Sequence, residues 1–275
     1  MALAASFTLA FPSISLSSRT RISSSGSCYP LRCSIQNSSL SVSVPDTTIS
    51  KCNETLSAIQ NSGIIACLRA ESAELAFEAA RAALNGGITV LEIVMSNPGV
   101  FEVLQQLVHE YPTKIIGVGT VLNLEDAKHA ISHGAKFLLS PAMVMVWTEQ
   151  KGILDDVSCS KALYIPGAMT PTEILSAFSS GAKMIKVYPV SALGGIQYIA
   201  ALKKPFPHIP LIASQGITVD LVGEYIAHGA TSVVLSDAIF SKKAMGERNF
   251  ETIYQLSRSA ASQAIEAVER CYREL

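Results

Sequence analysis

The chain has 275 residues, of which 49% are hydrophobic, and its 21 basic residues nearly balance its 22 acidic ones. This length suits one large α/β domain or two small ones, and the near-neutral charge excludes the basic surface typical of nucleic-acid-binding proteins. No apolar run reaches the roughly 18 residues that a transmembrane helix needs, so we expect neither a nucleic acid nor a membrane as a partner.

The cysteines and histidines give no indication of a metal site. The six cysteines form no C-x-x-C pair, and the five histidines fall at predicted helix ends and loops without the spacing of metal ligands. We therefore interpret the cysteines as reduced thiols, and we expect no bound metal.

Residues 1–45 differ in composition from the rest of the chain. Serine is frequent there, arginine is present, and the first acidic residue is Asp46. This composition is typical of an organellar transit peptide, and the sequence of residues 1–4 favours a plastid. A secretory signal is the alternative, because residues 3–11 are fairly apolar. We predict a disordered targeting segment at 1–45, localisation in the chloroplast, and one folded domain at 46–275.

Strand-like and helix-like runs alternate from Ile64 onward. The predicted strands are residues 64–69, 90–95, 114–120, 137–140, 163–167, 184–189, 210–214 and 232–235. Asn123 is placed to cap a helix, residues 170–173 have the pattern of a capping box, and residues 250–275 predict a long amphipathic helix. Eight strands alternating with helices predict a parallel sheet that closes as a single-domain (β/α)₈ barrel, the TIM-barrel fold.

A weak internal repeat supports this closed architecture. Gly86, Gly134, Gly181 and Gly229 follow predicted helices at intervals of 48, 47 and 48 residues. We predict that each supplies the left-handed residue that ends a helix. The regular spacing favours a barrel of four similar quarters over an open sheet.

One lysine lies in the middle of the sixth predicted strand. Met184, Lys186 and Tyr188 should share one face of this strand, with Ile185 and Val187 on the other. Burial would disfavour the charged form of the amine, and a neutral amine can attack a carbonyl to form a Schiff base. The alternative is a lysine that pairs with a carboxylate or extends to the barrel mouth.

Glu92 is the other charged residue within an apolar predicted strand. The second and sixth strands stand opposite each other in an eight-stranded barrel, so Glu92 and Lys186 can converge on its axis. A carboxylate beside a buried amine can transfer protons during Schiff-base chemistry, or the two can form an ion pair that only stabilises the barrel. The residues alone leave both readings open.

Active sites of such barrels lie at the carboxyl ends of the strands. The polar or small residues expected there include Arg69, Thr120, Pro141, Ser214, Gln215, Gly216, Ser236 and Asp237. The sequence Gly117-Val118-Gly119-Thr120 lacks the third glycine of a dinucleotide fingerprint. It either lets the backbone approach a ligand, with the Thr120 hydroxyl as a donor, or forms a tight strand end.

Several motifs occur together in a characteristic order. They are residues 86–92 (GGITVLE), 117–123 (GVGTVLN), 134–137 (GAKF), 140–141 (SP), 165–170 (IPGAMT), 186–189 (KVYP) and 194–195 (GG). From about residue 64 to 240 the chain therefore resembles the class I 2-keto-3-deoxy-6-phosphogluconate (KDPG) and 4-hydroxy-2-oxoglutarate (KHG) aldolases. The resemblance implies a homotrimeric (β/α)₈ barrel that cleaves a 2-keto-4-hydroxy acid to pyruvate and an aldehyde without a cofactor.

The same resemblance implies roles for individual residues. It implies that Lys186 forms the Schiff base, that Glu92 is the general acid and base, and that Thr120 binds pyruvate. We also expect substrate contacts from Arg69, Pro141, Tyr188, Ser214, Gly216 and Ser236.

Three positions depart from the family pattern. Ser96 stands where the family commonly has a substrate-binding arginine, Gln215-Gly216 replaces a Gly-Gly pair, and Ser236-Asp237 replaces Gly-Ser. Because the Asp237 carboxylate would repel a phosphate dianion, we expect a weakened preference for phosphorylated substrates. One alternative is a degenerate barrel that binds a keto acid or a protein partner without turnover. The other is a phosphate-binding isomerase or decarboxylase, against which Gln215 and Asp237 argue.

Overall fold

The computed structural model describes residues 46–146, 151–152 and 162–273. The predicted targeting segment therefore lies outside the described residues. In the described part, the strands of the main sheet are β1 Ile64–Leu68, β2 Val90–Val94, β3 Ile115–Gly119, β4 Phe137–Leu139, β5 Leu163–Ile165, β6 Gly167–Ala168, β7 Ile185–Val187, β8 Leu211–Ser214 and β9 Ser232–Leu235. A separate antiparallel pair is formed by Met145–Val146 and Lys151–Gly152.

Helices alternate with these strands along the chain. They are α1 Asp46–Ser62, α2 Ala73–Asn85, α3 Val100–Glu110, α4 Leu124–Ser132, α5 Pro171–Ser179, α6 Ile196–Lys203, α7 Val222–Ala227, α8 Lys242–Gly246 and α9 Phe250–Arg273. Short 3₁₀ helices at Val190–Leu193 and Val219–Leu221 follow β7 and β8.

The sheet closes on itself through a single proline. Its strand order is β5-β4-β3-β2-β1-β9-β8-β7-β6, and all neighbouring strands are parallel. The two terminal strands, β5 and β6, are consecutive in sequence and separated only by Pro166. Proline has no N–H to donate to a ladder, but the carbonyl of Pro166 accepts a hydrogen bond of 2.9 Å from the backbone N–H of Lys186. The barrel prediction is confirmed, with the fifth predicted strand divided in two.

Side chains alternate between the barrel interior and the helix layer. Met184 is buried in the inner cluster, whereas Ile185 and Val187 belong to the cluster that packs against the helices. This confirms the predicted faces of the strand that carries Lys186. The inner cluster comprises Ile59, Ile65, Cys67, Val90, Val94, Phe137, Leu139, Leu163, Ile165, Met184, Ile212 and Val234.

Helix α1, which the sequence pattern did not predict, lies at the amino end of the barrel. Ile59 is completely buried in the inner cluster, and Leu56 packs against it. The backbone carbonyl of Ile59 accepts a 2.8 Å hydrogen bond from the hydroxyl of Ser232, the first residue of β9. The inner cluster includes Val90 and Leu163, the first residues of two other strands, so α1 closes this end and leaves the carboxyl end open.

The predicted helix caps are present. The Asn123 side chain accepts a hydrogen bond of 2.8 Å from the N–H of Asp126. Thr170 and Glu173 form the reciprocal hydrogen bonds of a capping box. Both caps were predictable because they depend on residues only three positions apart.

The glycine prediction was right at three positions and wrong at the first. Gly134, Gly181 and Gly229 have φ angles of +96°, +104° and +100°. Gly86 is right-handed, and Gly87 carries the left-handed angle of +108° instead. A Cβ atom on Gly86 would lie 2.6 Å from the carbonyl oxygen of Tyr254, so this glycine is required by close packing against α9.

We expect Ile59→Ala to destabilise the fold strongly, because it opens a cavity in the barrel interior. The expected loss in free energy of unfolding is about 2–5 kcal/mol, measured by chemical denaturation. Ile265→Ala is the matched control, since Ile265 is 49% exposed on α9 and should change stability by no more than about 0.5 kcal/mol. Equal losses in the two variants would show that α1 does not close the barrel end.

Candidate active site

A cavity of about 550 Å³ opens at the carboxyl end of the strands. Six of the predicted site residues line it: Arg69, Lys186, Tyr188, Ser214, Gly216 and Ser236. Gln215 and Asp237, which depart from the family pattern, line the same cavity. The other lining residues are Cys67, Ile217, Thr218, Val234 and Ala238. The site thus forms where (β/α)₈ barrels carry their active sites.

Lys186 is a buried amine at the base of this cavity. Its side chain is 7% exposed, on β7, and its Nζ lies 5.3 Å from the centroid of the Tyr188 ring. Among the described residues, neither an ion pair nor a hydrogen bond engages this Nζ. Within the described residues, no carboxylate lies at ion-pair distance from the Lys186 amine.

Glu92 is buried on β2, on the opposite side of the barrel from β7. It is 1% exposed, and its Oε2 atom has no hydrogen-bond partner within the described residues. An unsatisfied buried carboxylate oxygen costs free energy and calls for an explanation. Gly119 provides the space for the carboxylate, because a Cβ at that position would lie 1.5 Å from Glu92 Oε1.

Cys67 was not predicted as a site residue. It pairs with Glu92 across β1 and β2, and it lines the cavity. Burial, reinforced by the negative charge of Glu92, raises the pKa of the Cys67 thiol far above its ordinary value, although Arg69 and Lys186 oppose this shift. The thiol therefore stays protonated. The sequence could have indicated this site residue, because Cys67 lies two residues before Arg69 and therefore on the same inward face of β1.

Arg69 is positioned by an asparagine that sequence reasoning also missed. The Nη1 atom of Arg69 donates to the Ser236 hydroxyl at 3.3 Å. Asn97 is 4% exposed; its side-chain amide donates to the carbonyl of Leu68 at 3.2 Å and accepts from the N–H of Ala70 at 2.8 Å. The backbone on both sides of Arg69 is thereby fixed to the loop that follows β2.

Two residues at strand ends have left-handed backbones without being glycine. Thr120, after β3, has φ +61°, and Gln215, after β8, has φ +89°. Such angles are unfavourable for side chains with a Cβ, and most of all for a β-branched residue. Backbone strain of this kind persists mainly at functional sites.

Three predicted site residues, Glu92, Thr120 and Pro141, are not among those that line the main cavity. Thr120 is half-buried at the end of β3. Pro141 lines a neighbouring cavity of about 580 Å³, where its backbone carbonyl would lie 2.2 Å from a Cβ on Gly167. Tyr188 contributes to the walls of both cavities. Ser96, which replaces the family's arginine, is exposed and is not part of either lining.

The described residues contain no group of three or more His, Cys, Asp or Glu side chains arranged to hold a metal ion. None of the helices described is long and apolar enough to cross a lipid bilayer.

Comparison with known proteins places this geometry in a family. The family model described as KDPG and KHG aldolase matches residues 56–256. The chain is 29% identical over 171 residues to the 2-dehydro-3-deoxy-phosphogluconate aldolase of Treponema pallidum, covering 62% of this chain and 79% of that protein. It is 26% identical over 191 residues to the KHG/KDPG aldolase of Escherichia coli K12, covering 70% of this chain and 87% of that protein.

A solved structure agrees with these relatives. The KDPG aldolase of Legionella pneumophila superposes with a TM-score of 0.67 at 26% identity, covering 75% of this chain and 97% of that one. In that crystal structure, pyruvate was captured at low pH as a covalent carbinolamine intermediate. Because the family model spans most of the barrel described above, the chain belongs to the KDPG and KHG aldolase family and is an aldehyde-lyase.

Proposed function

We propose that this chain is a class I aldolase that cleaves a 2-keto-4-hydroxy acid to pyruvate and an aldehyde through a Schiff base on Lys186. The observation that carries the proposal is a buried amine that lines the barrel cavity and has no counter-ion among the described residues. An amine held in this way is suited to attack a carbonyl group.

The reaction begins when neutral Lys186 Nζ attacks the C2 ketone of the substrate. Proton transfer to the carbinolamine oxygen releases water and leaves an iminium ion. The positive nitrogen then accepts the electron pair of the C3–C4 bond as that bond breaks. The aldehyde departs, the resulting enamine is protonated at C3, and water hydrolyses the iminium to pyruvate and free lysine.

Glu92 is the proposed acid and base for these steps. Its carboxylate takes the proton of the C4 hydroxyl, directly or through a water, and returns it to C3 of the enamine. A buried oxygen that has no partner within the described part of the chain is available to a substrate or to a bridging water. The protonated Cys67 thiol beside it adds no second negative charge to this part of the cavity.

Arg69 is the proposed anchor for the substrate carboxylate. Ser96 cannot supply the positive charge of the arginine that the family commonly has there. Arg69 lines the cavity, and Asn97 fixes the backbone on both sides of it. Its planar guanidinium can bind a carboxylate through two parallel hydrogen bonds.

The proposal includes two features for which only the sequence and the family resemblance give support. The serine-rich, acid-free composition of residues 1–45 supports import into a plastid. The resemblance to trimeric aldolases supports a homotrimer as the functional assembly.

Lys186→Met should abolish retro-aldol cleavage, because Lys186 is the primary amine among the described residues that line the cavity. Pyruvate release from 4-hydroxy-2-oxoglutarate and from 2-keto-3-deoxygluconate, followed with lactate dehydrogenase and NADH, measures the effect. Lys183→Met is the control: Lys183 is exposed, three residues away, and its loss should leave cleavage intact. Residual turnover in Lys186→Met close to that of the unmodified protein would exclude the proposed mechanism. Absence of cleavage in the unmodified protein with every 2-keto-4-hydroxy acid would instead favour a binding protein.

Gly119→Ala should impair catalysis without unfolding the protein. Its methyl group would displace the Glu92 carboxylate, and a misplacement of about 1 Å can cost on the order of 100-fold in rate. Exchange of the pyruvate methyl protons with deuterium, followed by NMR, reports this loss directly. Gly223→Ala is the matched control because a Cβ there meets nothing within 4 Å. Unaltered exchange in a folded Gly119→Ala protein would rule out Glu92 as the acid and base.

Replacement of Asp237 should alter the preference for phosphate. We expect the unmodified protein to cleave 2-keto-3-deoxygluconate in preference to its 6-phosphate. Asp237→Ser should raise kcat/KM for the phosphorylated acid by about tenfold, by removing a like charge from the cavity, and added salt should reduce this gain. Asp220→Ser, an exposed acid outside the cavity lining, controls for net charge. An equal gain in both variants would remove Asp237 as the cause.

A further inference from the structure

Gln215 occupies a backbone conformation that normally belongs to glycine. Its φ angle is +89°, and the next residue, Gly216, has φ +71°. Gly216 meets this requirement without cost, but Gln215 does not. Both residues lie at the rim of the main cavity, directly after β8. A larger side chain is therefore kept at a strained position that faces the place where a substrate would bind.

The Gln215 side chain is held by a serine from a neighbouring loop. Ser191 Oγ donates a hydrogen bond to Gln215 Oε1. The same serine fills the space beside Gly216, where a Cβ atom would lie 2.6 Å from Ser191 Oγ. Ser191 belongs to the 3₁₀ helix Val190–Leu193, which begins four residues after Lys186. The Gln215 amide is thus fixed relative to the strand that carries the amine.

This arrangement leaves the amide nitrogen of Gln215 available. Its oxygen is used by Ser191, while none of the hydrogen bonds among the described residues involves its Nε2. An amide NH₂ group provides two donors. Asp237 lines the same cavity, two residues after the strand next to β8, and its carboxylate accepts hydrogen bonds only.

A hydroxyl is the group that can form hydrogen bonds with both the Gln215 amide and the Asp237 carboxylate. A hydroxyl oxygen accepts from the Gln215 amide while its proton is donated to Asp237. A phosphate or a second carboxylate can only accept when ionised, and it would face the negative charge of Asp237. An ammonium group can only donate, which leaves the Gln215 amide unpaired. The chemistry of this end of the cavity therefore favours a neutral alcohol.

We propose that Gln215 and Asp237 form a subsite for a hydroxyl group on the aldehyde portion of the substrate, and that Ser191 positions the Gln215 amide. The substrate class is then a 2-keto-4-hydroxy monocarboxylate with an uncharged, hydroxylated tail, as in an unphosphorylated sugar acid. This inference rests on the proposed aldolase function, because it concerns the far end of the same cavity.

The test compares two substrates that differ by one hydroxyl. The probes are 2-keto-3-deoxygluconate and its 6-deoxy counterpart, and the readout is the ratio of their kcat/KM values. The unmodified protein should favour the hydroxylated probe by about tenfold, the factor expected for one or two net hydrogen bonds. Gln215→Gly, which removes the amide while relieving the backbone strain, should bring this ratio close to one, with most of the change in KM.

Variants of Ser191 test, in the same assay, whether this residue positions the Gln215 amide. Ser191→Ala should lower the ratio, and Ser191→Thr, which keeps the hydroxyl, should restore it. Gln197→Gly is the control, because Gln197 is exposed on α6 and outside the cavity lining. A ratio near one in the unmodified protein, or an unchanged ratio in Gln215→Gly, overturns the subsite. An unchanged ratio in Ser191→Ala overturns the positioning role.

Deuterium exchange into pyruvate by the unmodified protein separates the two proposals. Pyruvate carries no tail, so its exchange depends on Lys186 and Glu92 and not on the hydroxyl subsite. If exchange fails, the proposed aldolase function falls. If exchange occurs and the hydroxyl ratio does not respond to Gln215→Gly, only the subsite is refuted.

Discussion

The site depends on one physical constraint: the strand that carries the buried amine of Lys186 is also the strand at which the hydrogen-bond ladder of the barrel closes. The barrel seam passes through Pro166, whose carbonyl accepts from the backbone N–H of Lys186. Gly167, on the short strand beyond the seam, pairs with Lys186 in register. That strand approaches the backbone of Pro141 so closely that a Cβ on Gly167 would lie 2.2 Å from the Pro141 carbonyl oxygen. Closure of the barrel and burial of the amine therefore both depend on β7 and the strands that pair with it.

Several residues near the open end of the barrel adopt conformations or environments that cost free energy. Glu92 keeps a buried oxygen without a partner in the described part of the chain, and Thr120 and Gln215 adopt left-handed backbones. All three lie on strands, or directly after them, at the open end of the barrel. The amino end, by contrast, is filled by apolar side chains and by α1. Similar departures occur away from the cavity, at Arg248 with φ +50° and at the buried Ser257 hydroxyl, which has no hydrogen-bond partner within the described residues. Those around the cavity are expected where binding has been favoured over stability.

Features that depend on short-range patterns were predictable from the sequence. The strand alternation around Lys186, the cap at Asn123 and the capping box at Thr170 each involve residues a few positions apart, whose geometry is set by the helix or strand period. The placement of Glu92 and Lys186 on opposite strands of the barrel followed once eight strands were counted. The approximate location of the site, at the carboxyl ends of the strands, followed from the fold class.

Features that depend on long-range contacts were not predictable. Helix α1 has few large apolar residues, and only the folded barrel shows that Ile59 fills its amino end. The hydrogen bonds of Asn97 to the chain beside Arg69 join segments 27 and 29 residues apart. Gly86 and Gly87 could not be distinguished in sequence, because the contact that requires Gly86 comes from α9. The strain at Gln215 becomes apparent only when its backbone angle is known.

The most direct test of the central claim is to trap the Schiff base between Lys186 and pyruvate by reduction. The unmodified protein is incubated with pyruvate, reduced with sodium borohydride, digested, and examined by tandem mass spectrometry. A buried, reactive Lys186 predicts a stable secondary amine on the peptide that contains residue 186, formed only when pyruvate and borohydride are both present. An unmodified Lys186, or a label on an exposed lysine such as Lys183 instead, would contradict the account.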